Sequence, residues 1–366
     1  MGKRLESLRV KSMNRPDLDP RTQDILRQTV HTFIAFGDPV GSRTLAKLNA
    51  QGLSPATIRN IMSDLEEQGY LFQPHTSAGR VPTDKGYRFY VSTVMDGSGL
   101  SFAERQMIAG SLKQSGGDVE GLLQETSHLL ASMTDMVSFV TGPNIQQSTL
   151  KRIDFVKLSP RRVLVVLVSE TAQVVNRVVE LPEDFSGDEL ERSARYLNAE
   201  FRGFTLSEAR EILLLRLREE RALYDRVVKS ALTLGQAAFA ENTTSSDVYL
   251  EGTSRMLNKP EFSSNIQRAQ QLFATLEEKN RLLNILNACL EGSGLQIIIG
   301  SEARVPDLEG ISLIAASYRF MDRELGSVGI MGPTRMEYAK FISVVDYIAR
   351  SLSDTISQTA GRPLDV

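Results

Sequence analysis

The 366-residue sequence contains one cysteine, three histidines and no tryptophan. A lone Cys289 excludes an intramolecular disulfide and any zinc cluster built from several thiolates, and it suits a reducing compartment. His31, His75 and His128 are not spaced as metal ligands are, so neither a zinc enzyme nor a His-based catalytic triad is expected. No GxxxxGK[ST] phosphate loop is present. The glycines of "EGSGLQIIIG" (291–300) precede a strand, whereas a dinucleotide loop follows one. "GIMGPTRMEY" (329–338) reads as a helix entry capped by Thr334. No apolar run reaches the roughly 20 residues that span a bilayer. The N-terminus, "MGKRLESLRVKSMNRPDLDP", lacks the apolar core of a secretory signal. The expectation is a cytoplasmic protein without catalytic activity, cofactor, metal or membrane partner.

What charge there is lies unevenly. Residues 1–95 carry 13 Lys and Arg against 9 Asp and Glu, while the remainder carries 29 against 36. A basic head on an acidic body points to an anionic partner for the head alone.

Pattern divides the chain further. Residues 1–20 read as a basic arm, 21–95 as short helices punctuated by Gly and Pro, and "DGSGLS" (96–101) as a linker. Beyond it, helical stretches flank β-branched segments at 152–158, 162–168 and 172–180. Helical periodicity then continues, and strands return at 295–300, 311–320 and 326–332 before a closing helix from Thr334. The spacing predicts an α+β domain over 102–225 and 292–366, interrupted by a mainly helical insertion at 226–291.

The most informative stretch is "LSPATIRNIMSDLEEQGYL" (53–71). Ile58, Ile61, Met62 and Leu65 recur as one apolar seam of a helix. Ser54 suits the N-cap, Pro55 the first helical position, and Gly69 a left-handed stop. Before it, "RTQDILRQTVHTFIAFG" (21–37) is an amphipathic helix, and "SRTLAKL" (42–48) a short one capped by Ser42. Helix, short helix, Gly-containing turn and capped helix form the helix-turn-helix order, whose last helix offers its N-terminal residues to base edges. Thr57, Arg59 and Asn60 lie there, and Arg suits guanine as Asn suits adenine. Asp64, Glu66 and Glu67 follow, held back from an anionic partner.

"YLFQPHTSAGRVP" (70–82) then reads as a β-hairpin, a wing. Its His75, Thr76, Ser77 and Arg80 are donors suited to phosphate or minor-groove edges, as are Ser42 and Arg43 before the helix and Lys85 after Thr83.

The segment "SPATIRNIMSDLEEQGYLFQPHTSAGRVPTDKGYRFYV", with "EGTSRMLNKPEF" (251–262) and "GSVGIMGPTRMEYAKFISVVDYI" (326–348), resembles the heat-inducible transcription repressors of the HrcA family. That resemblance implies a winged helix-turn-helix head, and a GAF-like α+β domain interrupted by a helical dimerising insertion. It also implies a homodimer on double-stranded DNA, at a CIRCE-type inverted repeat upstream of chaperone genes, with activity modulated by the chaperonin GroEL. The alternative is a regulator that senses a small-molecule effector through the GAF-like domain.

Overall fold

A computed structural model describes residues 18–49, 51–94, 99–114, 119–143, 148–170, 174–218, 226–239, 248–257, 259–263, 266–290, 292, 294–320 and 323–360. The N-terminal part consists of α1 (Pro20–Phe36), α2 (Ser42–Leu48), α3 (Pro55–Glu67), the hairpin β1 (Leu71–Phe72) and β2 (Val81–Pro82), and α4 (Asp84–Val94). Ile25, Leu26 and Val30 of α1 meet Leu45 of α2 and Ile58, Met62 and Leu65 of α3 in a buried core. Val40 pairs with Arg80 through backbone bonds of 2.9 and 2.8 Å, tying the segment before α2 to the hairpin.

Two local expectations change here. The expected arm at 1–20 overlaps the head, because Asp19 caps α1 by accepting from the Arg21 and Thr22 amides at 2.9 and 3.1 Å, with Pro20 inside the helix. Ser42 is not the cap of α2: it is the first helical residue, and Gly41 holds the N-cap position without a side-chain bond.

Residues 96–101 are also more than a linker. Residues 95–98 lie outside the described set, but Leu100 is buried and Ser101 forms a capping box with Glu104. That box opens α5 (Phe102–Gln114), which is followed by α6 (Val119–Thr134) and β3 (Val137–Thr141).

The chain then leaves this sheet for a unit of its own. It comprises β4 (Leu150–Ser159), β5 (Arg162–Ser169), β6 (Val174–Glu180), α7 (Gly187–Phe201), α8 (Leu206–Arg218) and α9 (Arg226–Ala238). The antiparallel meander β4-β5-β6 packs one face on the helices around Ile153, Val163, Val165, Leu197, Phe201, Leu213 and Phe239.

Afterwards come β7 (Val248–Glu251), α10 (Thr253–Leu257), α11 (Pro260–Ser263), α12 (Ile266–Glu277), α13 (Lys279–Cys289), β8 (Leu295–Ile299), β9 (Ile311–Phe320), β10 (Arg323–Pro333) and α14 (Tyr338–Ala360). The second sheet is antiparallel, in the order β7-β3-β10-β9-β8. Period-two alternation along β9 sends Ile314, Ala316 and Tyr318 to the layer that contains α6 and α14. Ile311, Leu313 and Ala315 go to the layer that contains α12 and α13.

The interruption therefore lies elsewhere than expected. Residues 150–239 form the separate core, and it is α+β rather than helical, whereas residues 248–286 pack on the five-stranded sheet and contribute a strand to it. The closing helix also starts late: α14 begins at Tyr338, and Thr334 does not cap it but gives its carbonyl to the Tyr338 hydroxyl at 2.8 Å. No helix among the described residues is long and apolar enough to cross a membrane.

Candidate nucleic-acid interface

The entry to α3 is set by three chemical choices. Ser54 Oγ accepts from the Thr57 amide at 3.1 Å, Pro55 begins the helix, and an apolar seam buries Ile58, Met62 and Leu65. At the other end the Gly69 amide donates to Glu66 O and the Tyr70 amide to Leu65 O, both at 2.9 Å. These are the paired bonds of a Schellman stop, with Gly69 at φ +75°. A helix anchored at both ends and along its buried seam presents its remaining face rigidly.

That face carries Ala56, Arg59, Asn60, Asp64 and Glu67, all exposed. Arg59 and Asn60 stand within the first two turns; Glu67 lies roughly 10 Å further along the axis than Asn60, at 1.5 Å per residue. Thr57 is half-buried, its hydroxyl 2.9 Å from Ser54 Oγ. The positive end of the helix dipole coincides with the cationic and amide side chains, so this end attracts anions and the far end does not.

Arg43 is exposed on α2, Ser42 half-buried beside it. His75, Thr76 and Ser77 are exposed at the hairpin tip. Gln73 was not anticipated: its Nε2 donates to Thr76 O at 3.1 Å and Ala78 O at 2.8 Å, holding the loop from within. A side-chain amide at the mouth of a polar turn is the signal that would have found it.

Two expected donors are committed elsewhere. Arg80 Nε stands 2.8 Å from Glu66 Oε2, with the arginine side chain only 16% exposed, so it braces the hairpin against α3. Lys85 Nζ donates to Gln68 O at 2.8 Å and lies 4.1 Å from the centre of the Tyr70 ring. Gln68 caps the C-terminus of α3, about 20 Å from Ser54 at helical rise. Lys85 therefore complements the negative end of the helix. Lys85 remains exposed despite these contacts, and the tip residues, Arg43 and the start of α3 are the expected residues without such an engaged cation.

The family model described as the HrcA protein C-terminal domain matches residues 120–342. The chain belongs to the HrcA family of heat-inducible transcription repressors. The heat-inducible transcription repressor HrcA of Geobacter sulfurreducens is 41% identical over 337 residues, covering 92% of this chain and 98% of that protein. That of Syntrophobacter fumaroxidans is 39% identical over 343 residues, covering 93% and 98%. HrcA relatives are named as repressors, which places the chain among transcription regulators rather than enzymes. The fold has a solved counterpart, a hypothetical protein at 2.2 Å resolution. It has a TM-score of 0.61 and 23% identity, covering 93% of this chain and 99% of that one.

Proposed function

We propose that this HrcA-family chain is a sequence-specific, DNA-binding repressor of heat-shock genes, acting as a homodimer in the cytoplasm. The supporting observation is the face of α3: a rigid helix with Arg59 and Asn60 exposed at its positive end and its acids set back. Helix, helix, turn, helix and hairpin are read as a winged helix-turn-helix head, and the five-stranded domain as the GAF-like one. Thr57, Arg59 and Asn60 would meet base edges in the major groove. Ser42, Arg43, His75, Thr76 and Ser77 would fix register on phosphates or in the minor groove. Arg80 and Lys85 are assigned to holding the head together.

Support for the homodimer comes from a surface as well as from the family resemblance. Cross-strand neighbours Val156, Leu164 and Val178 form one row on the outer face of the β4–β6 meander, and Val168 and Val174 part of another. Val156, Val174 and Val178 are 48%, 56% and 46% exposed, and the unit's helices cover only the opposite face. Asp154 and Asn176 flank Val166 in the row between, and Arg152 ends the second row. The face is thus a mixed one, in which the exposed apolar row Val156–Leu164–Val178 suits a self-complementary, two-fold interface. Two heads related by that axis would read an inverted repeat of the CIRCE type. Chaperonin GroEL as modulator is carried over from the family resemblance.

The test is fluorescence anisotropy with a CIRCE-type duplex and a scrambled duplex across salt, with and without chaperonin. Selective binding that weakens linearly in log salt supports the repressor. Tighter operator binding with chaperonin present supports the modulation. Equal, weak binding to both duplexes contradicts the reading.

A further inference from the structure

The head does not hang from the body by its linker alone. Helix α4 lies against the edge strand β8, and polar contacts run between them in both directions. From the head, Arg88 Nε donates to Glu302 Oε1 at 2.8 Å, and its Nη2 reaches both Glu302 Oε2 and the Ile297 carbonyl, the latter at 2.6 Å. Asp84, at the start of the same helix, accepts from the Ser301 amide and hydroxyl at 2.9 and 2.8 Å. From the body, Arg335 Nη1 donates at 3.1 Å to the Ile34 carbonyl in the last turn of α1, while its Nε is held 2.6 Å from Glu261. Tyr87 and Tyr338 pack ring to ring between these contacts, 5.9 Å apart and both buried.

Three features make this contact more than incidental packing. Each arginine caps a backbone carbonyl that its own element leaves open, one at a sheet edge and one at a helix C-terminus. Each is oriented by a carboxylate of the body, which fixes the guanidinium plane and so the angle of approach. Gly300 sits at φ +51° beneath Asp84, and a side chain there would collide with the Asp84 carboxylate, so the body is shaped to receive it. Arg88 and Arg335 grip two different head helices, α4 and α1. Two separated grips remove the rotation that a single contact would allow.

We propose that Arg88 and Arg335, with Glu302 and Glu261, are positioning residues that hold the DNA-reading head at one angle to the body and thereby set the half-site spacing the dimer accepts. This inference rests on the proposed function, since it presupposes a two-fold pair of heads on an inverted repeat. A dimer whose heads are clamped tolerates only spacers that keep both half-sites on one face of the duplex. Heads released from the body would reach other spacings through their linkers.

The test compares inverted-repeat duplexes whose spacer is changed in single base pairs through about half a helical turn, roughly five base pairs. The full-length protein is measured beside Arg88→Ala/Arg335→Ala and the milder Glu302→Gln/Glu261→Gln, and every protein is also tested on a single half-site duplex. Equal half-site affinity shows that the variant heads are folded. The expected result is a sharp optimum for the natural chain, with roughly 100-fold loss at half a turn as one head lets go. Both variants should flatten that profile to less than about tenfold while matching the natural chain on the half-site. An unchanged profile in the Gln pair together with the Ala pair overturns the proposal, and so does tighter binding at the optimum with undiminished sharpness, which would make the contact a lock against DNA. If the natural chain does not prefer any inverted repeat over a scrambled duplex, the repressor reading itself fails.

Discussion

Arg80 on the hairpin and Glu66 on α3 are joined by an ion pair across 2.8 Å. The Arg80 guanidinium thus braces the hairpin against α3 and fixes the angle between them. Arg80→Ala is expected to lower stability by about 1–2 kcal/mol, between the values for exposed and buried pairs. Glu66→Ala should reproduce much of that loss, and the double variant should be less than additive. The slope of log affinity against log salt should stay as it is, because no phosphate contact is removed. Chemical denaturation and a salt series read both quantities; a shallower slope for Arg80→Ala would return the residue to the DNA.

Gly86 lies within α4, where alanine ordinarily stabilises a helix by about 1 kcal/mol. Here a Cβ would collide with the Tyr70 carbonyl oxygen, a backbone atom that cannot step aside. Gly86→Ala is therefore expected to destabilise, by about 1–3 kcal/mol as overpacking does. Thermal unfolding of the variant decides the sign.

Thr205 and Glu208 form the capping box of α8, and hydrogen bonds from the Thr205 amide, then its hydroxyl, hold the Glu208 carboxyl below its ordinary value of 4.5. A lowered folded value means that ionised Glu208 stabilises the fold above that ordinary value, and that the gain is lost as pH falls through the lowered one. Glu208→Gln should melt lower than the natural chain at neutral pH and converge with it in strong acid. A melting difference that persists unchanged across the acid range would contradict this assignment.

Val178 stands on the outer face of edge strand β6, opposite Leu164 of β5, and is exposed. Val178→Asp should leave the folded unit intact, since the side chain is 46% exposed, and should weaken self-association by at least about tenfold. Sedimentation velocity over a concentration series measures it. A dimer as strong as before would move the two-fold interface to another surface.

Local chemistry made the head legible in the sequence. Ser54, Pro55 and Gly69 specify a start and a stop for α3 without reference to anything distant, and the seam through Ile58, Met62 and Leu65 specifies its buried side. What stayed hidden depends on partners far away in the chain. Strand β3 is buried along its whole length, so it shows no alternation, and its neighbours are Leu250 opposite Phe139 and Val328 opposite Val140. Those long-range pairings place 248–251 in the main sheet and 150–239 outside it, and no periodicity within either segment encodes that choice. The partners of Arg80 and Lys85 were hidden for the same reason: a cation's partner is a tertiary fact, and Glu66 and the Gln68 carbonyl supply it.

Arg59 and Asn60 are assigned to reading bases from the first turns of α3. The most direct test measures the affinity of the natural chain and of Arg59→Ala for a set of operators, each changed symmetrically at one position of both half-sites. The expected result is a loss of about 1–3 kcal/mol per reading site on the natural operator, with discrimination abolished at a single position and kept at the others. A uniform weakening on every duplex, with the position profile unchanged, would contradict it and make Arg59 a phosphate contact, with the discrimination carried by other residues.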